Sequence, residues 1–105
     1  MTVTAMLSVT PLDDPTVDLD AEVARAIDAL EDADVRYETH PMETTLEAAD
    51  LGDVFAAARA ATEALQASRT VTDLTIDHLR EESIAADEKV EMVEAHLGRP
   101  ARGTR

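Results

Sequence analysis

The chain has 105 residues and no cysteine, so it has room for one domain and cannot use a disulfide, a thiolate metal site or a thiol nucleophile. Its formal charge of −14 comes from 23 acidic and nine basic residues, with Lys89 the single lysine, and the acids are spread over the predicted helices rather than gathered in a tail. That pattern marks a solvated acidic surface suited to a salt-rich cytoplasm, where a Debye length of roughly 3 Å leaves the charges little mutual reach.

Residues Thr2 to Thr10 alternate, with Val3, Ala5, Leu7 and Val9 on one face and Thr4, Met6 and Ser8 on the other, which is the period of a strand. The same alternation, without a basic segment before it, argues against an export signal or a membrane span. Pro11, Asp13, Asp14 and Pro15 are expected to break the strand. Asp18 or Asp20 then caps a helix whose apolar positions Leu19, Val23, Ile27 and Leu30 recur every three or four residues, to about Ala33. Val35 to Thr39 alternate again, His40-Pro41-Met42-Glu43 makes a turn, and Thr44 to Ala48 returns as the other arm of a hairpin. Asp50 opens a second helix with the stripe Leu51, Val54, Phe55, Ala58, Ala61 and Leu65, ending near Ala67. Thr70 to Leu79 is β-branched and alternating, Arg80 to Ser83 is a polar loop, and Asp87 is expected to cap a third helix carrying Val90, Val93 and Leu97. Residues 98–105, with Gly98, Pro100 and Gly103, are expected to form a frayed tail.

The order β-α-β-β-α-β plus a terminal helix predicts an α+β ferredoxin-like sandwich as a single domain over residues 1–97. Right-handed crossovers place two helices on one face of a four-stranded antiparallel sheet, and the C-terminal helix is extra. The other face of the sheet is then uncovered. From the first strand it receives Thr4, Met6 and Ser8, uncharged residues in a very acidic chain, which points to a second subunit packed sheet against sheet. The same topology serves RNA-recognition domains that stack bases on aromatic residues. With Tyr37 and Phe55 as the only aromatics, and Phe55 in a helix stripe, no nucleic-acid partner is expected. His40, His78 and His96 have no spacing that brings two of them to one metal, so neither a metal nor a cofactor is expected. Two readings besides a binding protein stay open: a small dimeric enzyme with His40 as general base beside Glu38 or Glu43, and a structural or regulatory oligomer without ligand.

The densest run of polar and special residues outside the helices is Tyr37 to Glu47. Ser8-Val9-Thr10-Pro11, the hairpin Tyr37-x-Thr39-x-Pro41-Met42-x-Thr44, Asp77 late in the last strand and Glu88-Lys89-Val90 in the final helix occur in this order over nearly the whole chain. Together they resemble the family of small thiamine-binding proteins, long known only as a domain of unknown function. The resemblance implies a ferredoxin-like fold, dimers that pair into tetramers, and non-catalytic binding of thiamine or its hydroxymethylpyrimidine moiety near a subunit interface. Carried onto this chain, it implies a ligand site of Ser8, Tyr37, Thr39, Met42, Thr44 and Glu47. On that reading the hydroxyls of Ser8, Thr39 and Thr44 meet the donor and acceptor edge of the aminopyrimidine. Glu43 or Glu47 balances the cationic thiazolium, while Met42 and Tyr37 form an apolar wall. The chain departs from the family pattern at Glu22, Glu43, Ala48 and Thr75, and its late basic cluster is thinned to His78-Leu79-Arg80. An added carboxylate or a lost lysine beside a pocket changes which charges that pocket accepts.

Overall fold

A computed structural model describes residues 1–103, so that the last two positions of the expected tail, 104 and 105, lie outside the described residues. Eight elements follow in order: β1 (Thr2–Leu12), α1 (Leu19–Ala29) continued by a 3-10 turn (Leu30–Asp32), β2 (Arg36–Thr39), β3 (Thr44–Ala48), α2 (Leu51–Glu63), β4 (Arg69–Leu79) and α3 (Ala86–Leu97). The strands form one antiparallel sheet in the order β2-β3-β1-β4, which is the expected α+β ferredoxin-like arrangement. α1 and α2 cover one face. Strand alternation sends Val3, Ala5 and Leu7 of β1 and Leu46 and Ala48 of β3 beneath them, against Ala26, Leu30 and the small-residue line Val54, Ala57, Ala58 and Ala61 of α2. Alanines on that line let α2 approach the sheet closely.

The edges of the expected stripes are corrected. Phe55 sits about 100° round the helix from Val54 and points away from the core, 53% exposed, and Leu19 in the first turn of α1 is 56% exposed. Glu22, by contrast, is only 2% exposed. Its carboxylate accepts hydrogen bonds from the backbone N–H of Gln66 (2.9 Å) and Ala67 (3.0 Å) and pairs with Arg25 at 2.6 Å, tying α1 to the loop before β4.

Nor does Pro11 end β1. β3 stops pairing at Leu7, so one edge of β1 is free from Ser8 onward and a missing proline N–H interrupts no ladder there. β1 stays paired with β4 as far as Leu12 opposite Arg69, and the break comes at Asp13, whose φ is 61°. Asp18 and Asp50 cap α1 and α2 as expected, accepting from Ala21 N (3.2 Å) and Gly52 N (2.7 Å). Asp87 does not cap α3. The residue at that place is Ala85, which has no side-chain acceptor, and the Glu47 carboxylate of β3 substitutes by accepting from Ala86 N at 2.9 Å. At the other end Gly98 takes a left-handed φ of 70°, and Ala101 N–H donates to the Glu94 carboxylate at 2.8 Å, turning the start of the tail back on α3.

The open face of the sheet is less neutral than β1 alone suggests. Thr4 lies opposite Glu47 on one side and Asp77 on the other, Ser8 lies opposite Asp73, and Glu38 lies opposite Thr45, so carboxylates flank the uncharged residues of β1. α3 starts over this face, held by Ala86 on Glu47 and by Lys89 Nζ on Asp77 at 2.6 Å. None of its residues is buried, and Val90, Met92, Val93 and Leu97 are 44% to 54% exposed. Among the described residues no helix is long and apolar enough to cross a membrane.

Candidate functional site

Register opens a cleft. Because β3 begins at Thr44 opposite Leu7 while β1 runs on to Leu12, Ser8 and Val9 lie along a strand edge with no neighbour on that side. The turn from His40 to Glu43, closed by His40 N–H donating to the Glu43 carbonyl at 2.8 Å, borders this gap. Between turn, strand edge and α1 lies a cleft of about 110 Å³. Its floor is apolar, built from Leu7 and Val9 of β1, Val23, Ala26 and Ile27 of α1, Leu30 behind them and Ala61 of α2. The rim is polar and belongs to the hairpin, with Thr39, His40, Glu43 and Thr44 around the turn residues Pro41 and Met42.

Four of the six expected ligand residues line the cleft, but strand alternation between the floor residues Leu7 and Val9 turns the Ser8 side chain to the open face, so the expected side chains that meet here are Thr39, Met42 and Thr44. Thr39 and Thr44 face each other across the hairpin with their hydroxyls 3.2 Å apart, and one bond between two hydroxyls leaves an O–H and several lone pairs for a ligand. Thr44 is buried and fixed, whereas Met42 is 84% exposed, a flexible thioether at the lip for which a bound ring would supply a packing partner.

Tyr37 and Glu47 are placed elsewhere. Both line a second depression of about 90 Å³ that they share with Arg36, Glu38, Thr45, Ala86 and Asp87. The Tyr37 hydroxyl donates to the Glu31 carboxylate. That bond, reinforced by desolvation and by the charges of Glu31 and Asp28, raises the phenol above its ordinary value of 10. Glu47 is engaged at the α3 N-terminus, so each of the two has a structural partner. The six-residue site expected from the resemblance therefore divides into two places on the surface.

His40 and Glu43 line the cleft although neither belonged to that set of six. Their position was legible, since any pocket that gathers Thr39 and Thr44 must include the turn between them. Glu43 is the alternative of the two counter-charges considered for a cationic ligand, but its carboxylate accepts from Thr45 Oγ1 at 3.2 Å and so lies on the open face of the sheet beside Met6 and Thr45, not over the cleft floor. An apolar slot with a hydroxyl rim grips a flat heteroaromatic ring by its faces and reads one edge. Among the described residues no three His, Asp or Glu side chains gather as a metal-ligand set. A wider depression of about 580 Å³ near Met1, Asp34 and Ser83 is shallow and brings in only Glu47 of the expected residues.

Comparison with known proteins identifies the family and the fold. The family model described as thiamine-binding protein matches residues 5–94. A UPF0045 protein of Methanothermobacter thermautotrophicus is 43% identical over 98 residues, which span 90% of this chain and 99% of that protein. Among solved structures, a hypothetical Methanocaldococcus protein superposes with a TM-score of 0.78 at 26% identity, over 88% of this chain and 95% of the other. A Thermotoga maritima protein presented as one of thiamine biosynthesis or salvage superposes at 0.73 with 26% identity, over 89% and 99% of the two chains. A Bacillus cereus domain of unknown function is 34% identical at a TM-score of 0.66, over 85% and 86%. With the family match covering residues 5–94 and a relative this similar along nearly its full length, the chain belongs to the thiamine-binding protein family.

Proposed function

We propose that this protein binds thiamine or its hydroxymethylpyrimidine moiety without transforming it, in the cleft between α1 and the β2–β3 turn, and that it does so as a homo-oligomer in a salt-rich cytoplasm. The reading is carried by the convergence of Thr39, Met42 and Thr44 on one apolar cleft of about 110 Å³. A cavity of about 150 Å³ holds benzene, so an open-mouthed cleft of this size takes one six-membered ring. The pyrimidine fits that description, with its amino edge toward the hydroxyls and the thiazolium at the lip beside Met42. Titration calorimetry and thermal shift on the full chain test it. A ligand at a hundred times its Kd adds about 2.7 kcal/mol to the folded state. Thiamine and the free pyrimidine should both stabilise the protein, unrelated metabolites should not, and absence of heat and of any shift with both would overturn the reading. The enzymatic alternative, with His40 as base, requires the ligand to be altered, so ligand recovered unchanged after prolonged incubation supports a binding role.

The oligomer rests on α3. An isolated helix of 12 residues is marginal in water and depends on packing an apolar stripe. The stripe Val90, Val93 and Leu97 is exposed in the monomer, and the open sheet face beside it exposes Met6 and Val71. A second copy related by a two-fold axis would cover both patches with the same contacts made twice. Light scattering should show an oligomer that Val93→Glu dissociates, and a wild-type monomer at micromolar concentration would refute it.

A further inference from the structure

β1 pairs with β4 in unbroken register from Thr2 opposite Leu79 to Leu12 opposite Arg69, and Pro11 lies within that run. Proline has no N–H, so a ladder that passes through it must turn the Pro11 edge away from β4. Backbone groups along a central antiparallel strand aim at its two neighbours alternately. Ser8, Thr10 and Leu12 therefore bond to β4, and the N–H and C=O of Val3, Ala5, Leu7 and Val9 aim at the β3 side. β3 takes up the first three through Ala48, Leu46 and Thr44 and then stops. In the same register Met42 would stand opposite Val9, but the chain has already turned there, with His40 N–H donating to the Glu43 carbonyl. Val9 thus keeps one donor and one acceptor side by side on the edge that borders the cleft, without a partner among the described residues. A peptide strand is a poor occupant, since beyond Val9 that edge offers only the Pro11 carbonyl before the chain breaks at Asp13.

We propose that the Val9 backbone reads the ligand as a missing residue of β3 would: its C=O accepts from the amino group of the pyrimidine, and its N–H donates to the ring nitrogen next to that group. The proposal rests on the ligand reading above and adds the edge that selects the chemical class, a flat ring with a donor beside an acceptor. An amino group carries two N–H bonds, so it can serve a threonine hydroxyl of the rim and the Val9 carbonyl together. Hydroxyls rotate and meet either polarity, whereas a backbone edge has a fixed one. Val9, and not the threonines, therefore discriminates between an amino and an oxo ring.

Amide hydrogen exchange and calorimetry on the full-length protein test this. Without ligand the Val9 N–H should exchange fast between the slow Ser8 and Thr10, and hydroxymethylpyrimidine or thiamine should slow it at least about tenfold. Replacing the amino group of the pyrimidine by oxo exchanges donor and acceptor along the edge, so both contacts become repulsive and affinity should fall at least about a hundredfold. Val9→Pro deletes an N–H on the side where Pro11 already lacks one and should keep the β1–β4 ladder. It should bind thiamine about tenfold more weakly than Val9→Ala, which trims the side chain and keeps the N–H. Should Val9→Pro fold poorly, the exchange and analogue measurements decide alone. A Val9 N–H protected without ligand or still fast with ligand bound, an oxo ring bound as tightly as the amino ring, or equal affinity in the two variants would overturn the backbone reading and leave the ligand reading standing. Failure of both thiamine and the pyrimidine to bind would remove the ligand reading, and the role of Val9 with it.

Discussion

Replacing Glu22 by Ala should be among the most damaging single changes in this chain, although the residue is polar and lies on a helix whose core contribution is small. The Glu22 carboxylate is 2% exposed and receives two backbone donors from the loop before β4, at 2.9 Å from Gln66 and 3.0 Å from Ala67, together with Arg25 at 2.6 Å. A hydrogen bond to a charged acceptor contributes about 1.5 to 3 kcal/mol, so loss of both backbone bonds sets a range of about 3 to 6 kcal/mol. The lower end applies, because Gln66 is exposed and Arg25 partly so, and water can reach the freed donors. A loss of about 3 kcal/mol is a large share of the 5 to 15 kcal/mol typical of a domain, and for one of this size it lowers Tm by roughly 12 to 24 °C. Urea titration at fixed salt measures it, with the midpoint falling and the slope unchanged. Glu22→Gln, which keeps an acceptor and the side-chain volume, should recover part of the loss. If Glu22→Ala costs less than about 1 kcal/mol, within the scatter of ordinary surface substitutions, the carboxylate is not the anchor described here.

The single tyrosine gives a direct optical test, because Glu31 raises the Tyr37 phenol. Phenolate absorbance in the native protein should appear at higher pH than in urea, and Glu31→Gln should bring the two curves together. The linkage has a definite sign: an acid whose folded pKa lies above its unfolded value adds stability that is present below pH 10 and lost as pH rises through the folded pKa. Glu47→Ala removes the acceptor at the α3 N-terminus and should cost about 1 kcal/mol as a lost cap, while thiamine affinity stays as it was. Weaker thiamine binding in that variant would instead return Glu47 to the ligand site. With a net charge of −14, the protein should melt at a lower temperature in dilute buffer than in molar salt, because closely spaced carboxylates regain their repulsion when screening is withdrawn; equal melting temperatures would refute this.

Much of the fold is legible along the chain because its periodicities are local. The alternation of Val3, Ala5 and Leu7 can serve only a half-buried strand, and Asp18 and Asp50 stand where helices need an acceptor, as the caps at Ala21 and Gly52 bear out. Thr39 and Thr44, on either side of a four-residue turn with proline, have to face each other in any hairpin, and they do so at 3.2 Å. The readings that went astray share another character. Pro11 looks like a breaker unless one knows that β3 stops opposite Leu7 and frees that edge of β1. Phe55 reads as core by type and near-correct spacing, yet the line of alanines on α2 decides which side of that helix meets the sheet.

By itself, then, the sequence determined the α+β element order, the hairpin and the cluster of hydroxyls at its turn, since these follow from backbone preferences and from residues within a few positions of one another. Only the tertiary structure decided what the carboxylates do. Glu22 and Glu47 look alike in the sequence, but chain segments brought in from 44 and 39 residues away make one a buried anchor for a loop and the other the cap of a distant helix. The physical reason is that a carboxylate has no fixed role of its own. Its effect depends on which donors reach it and how far water is excluded, and both are set by strand register and helix packing rather than by neighbours in the chain.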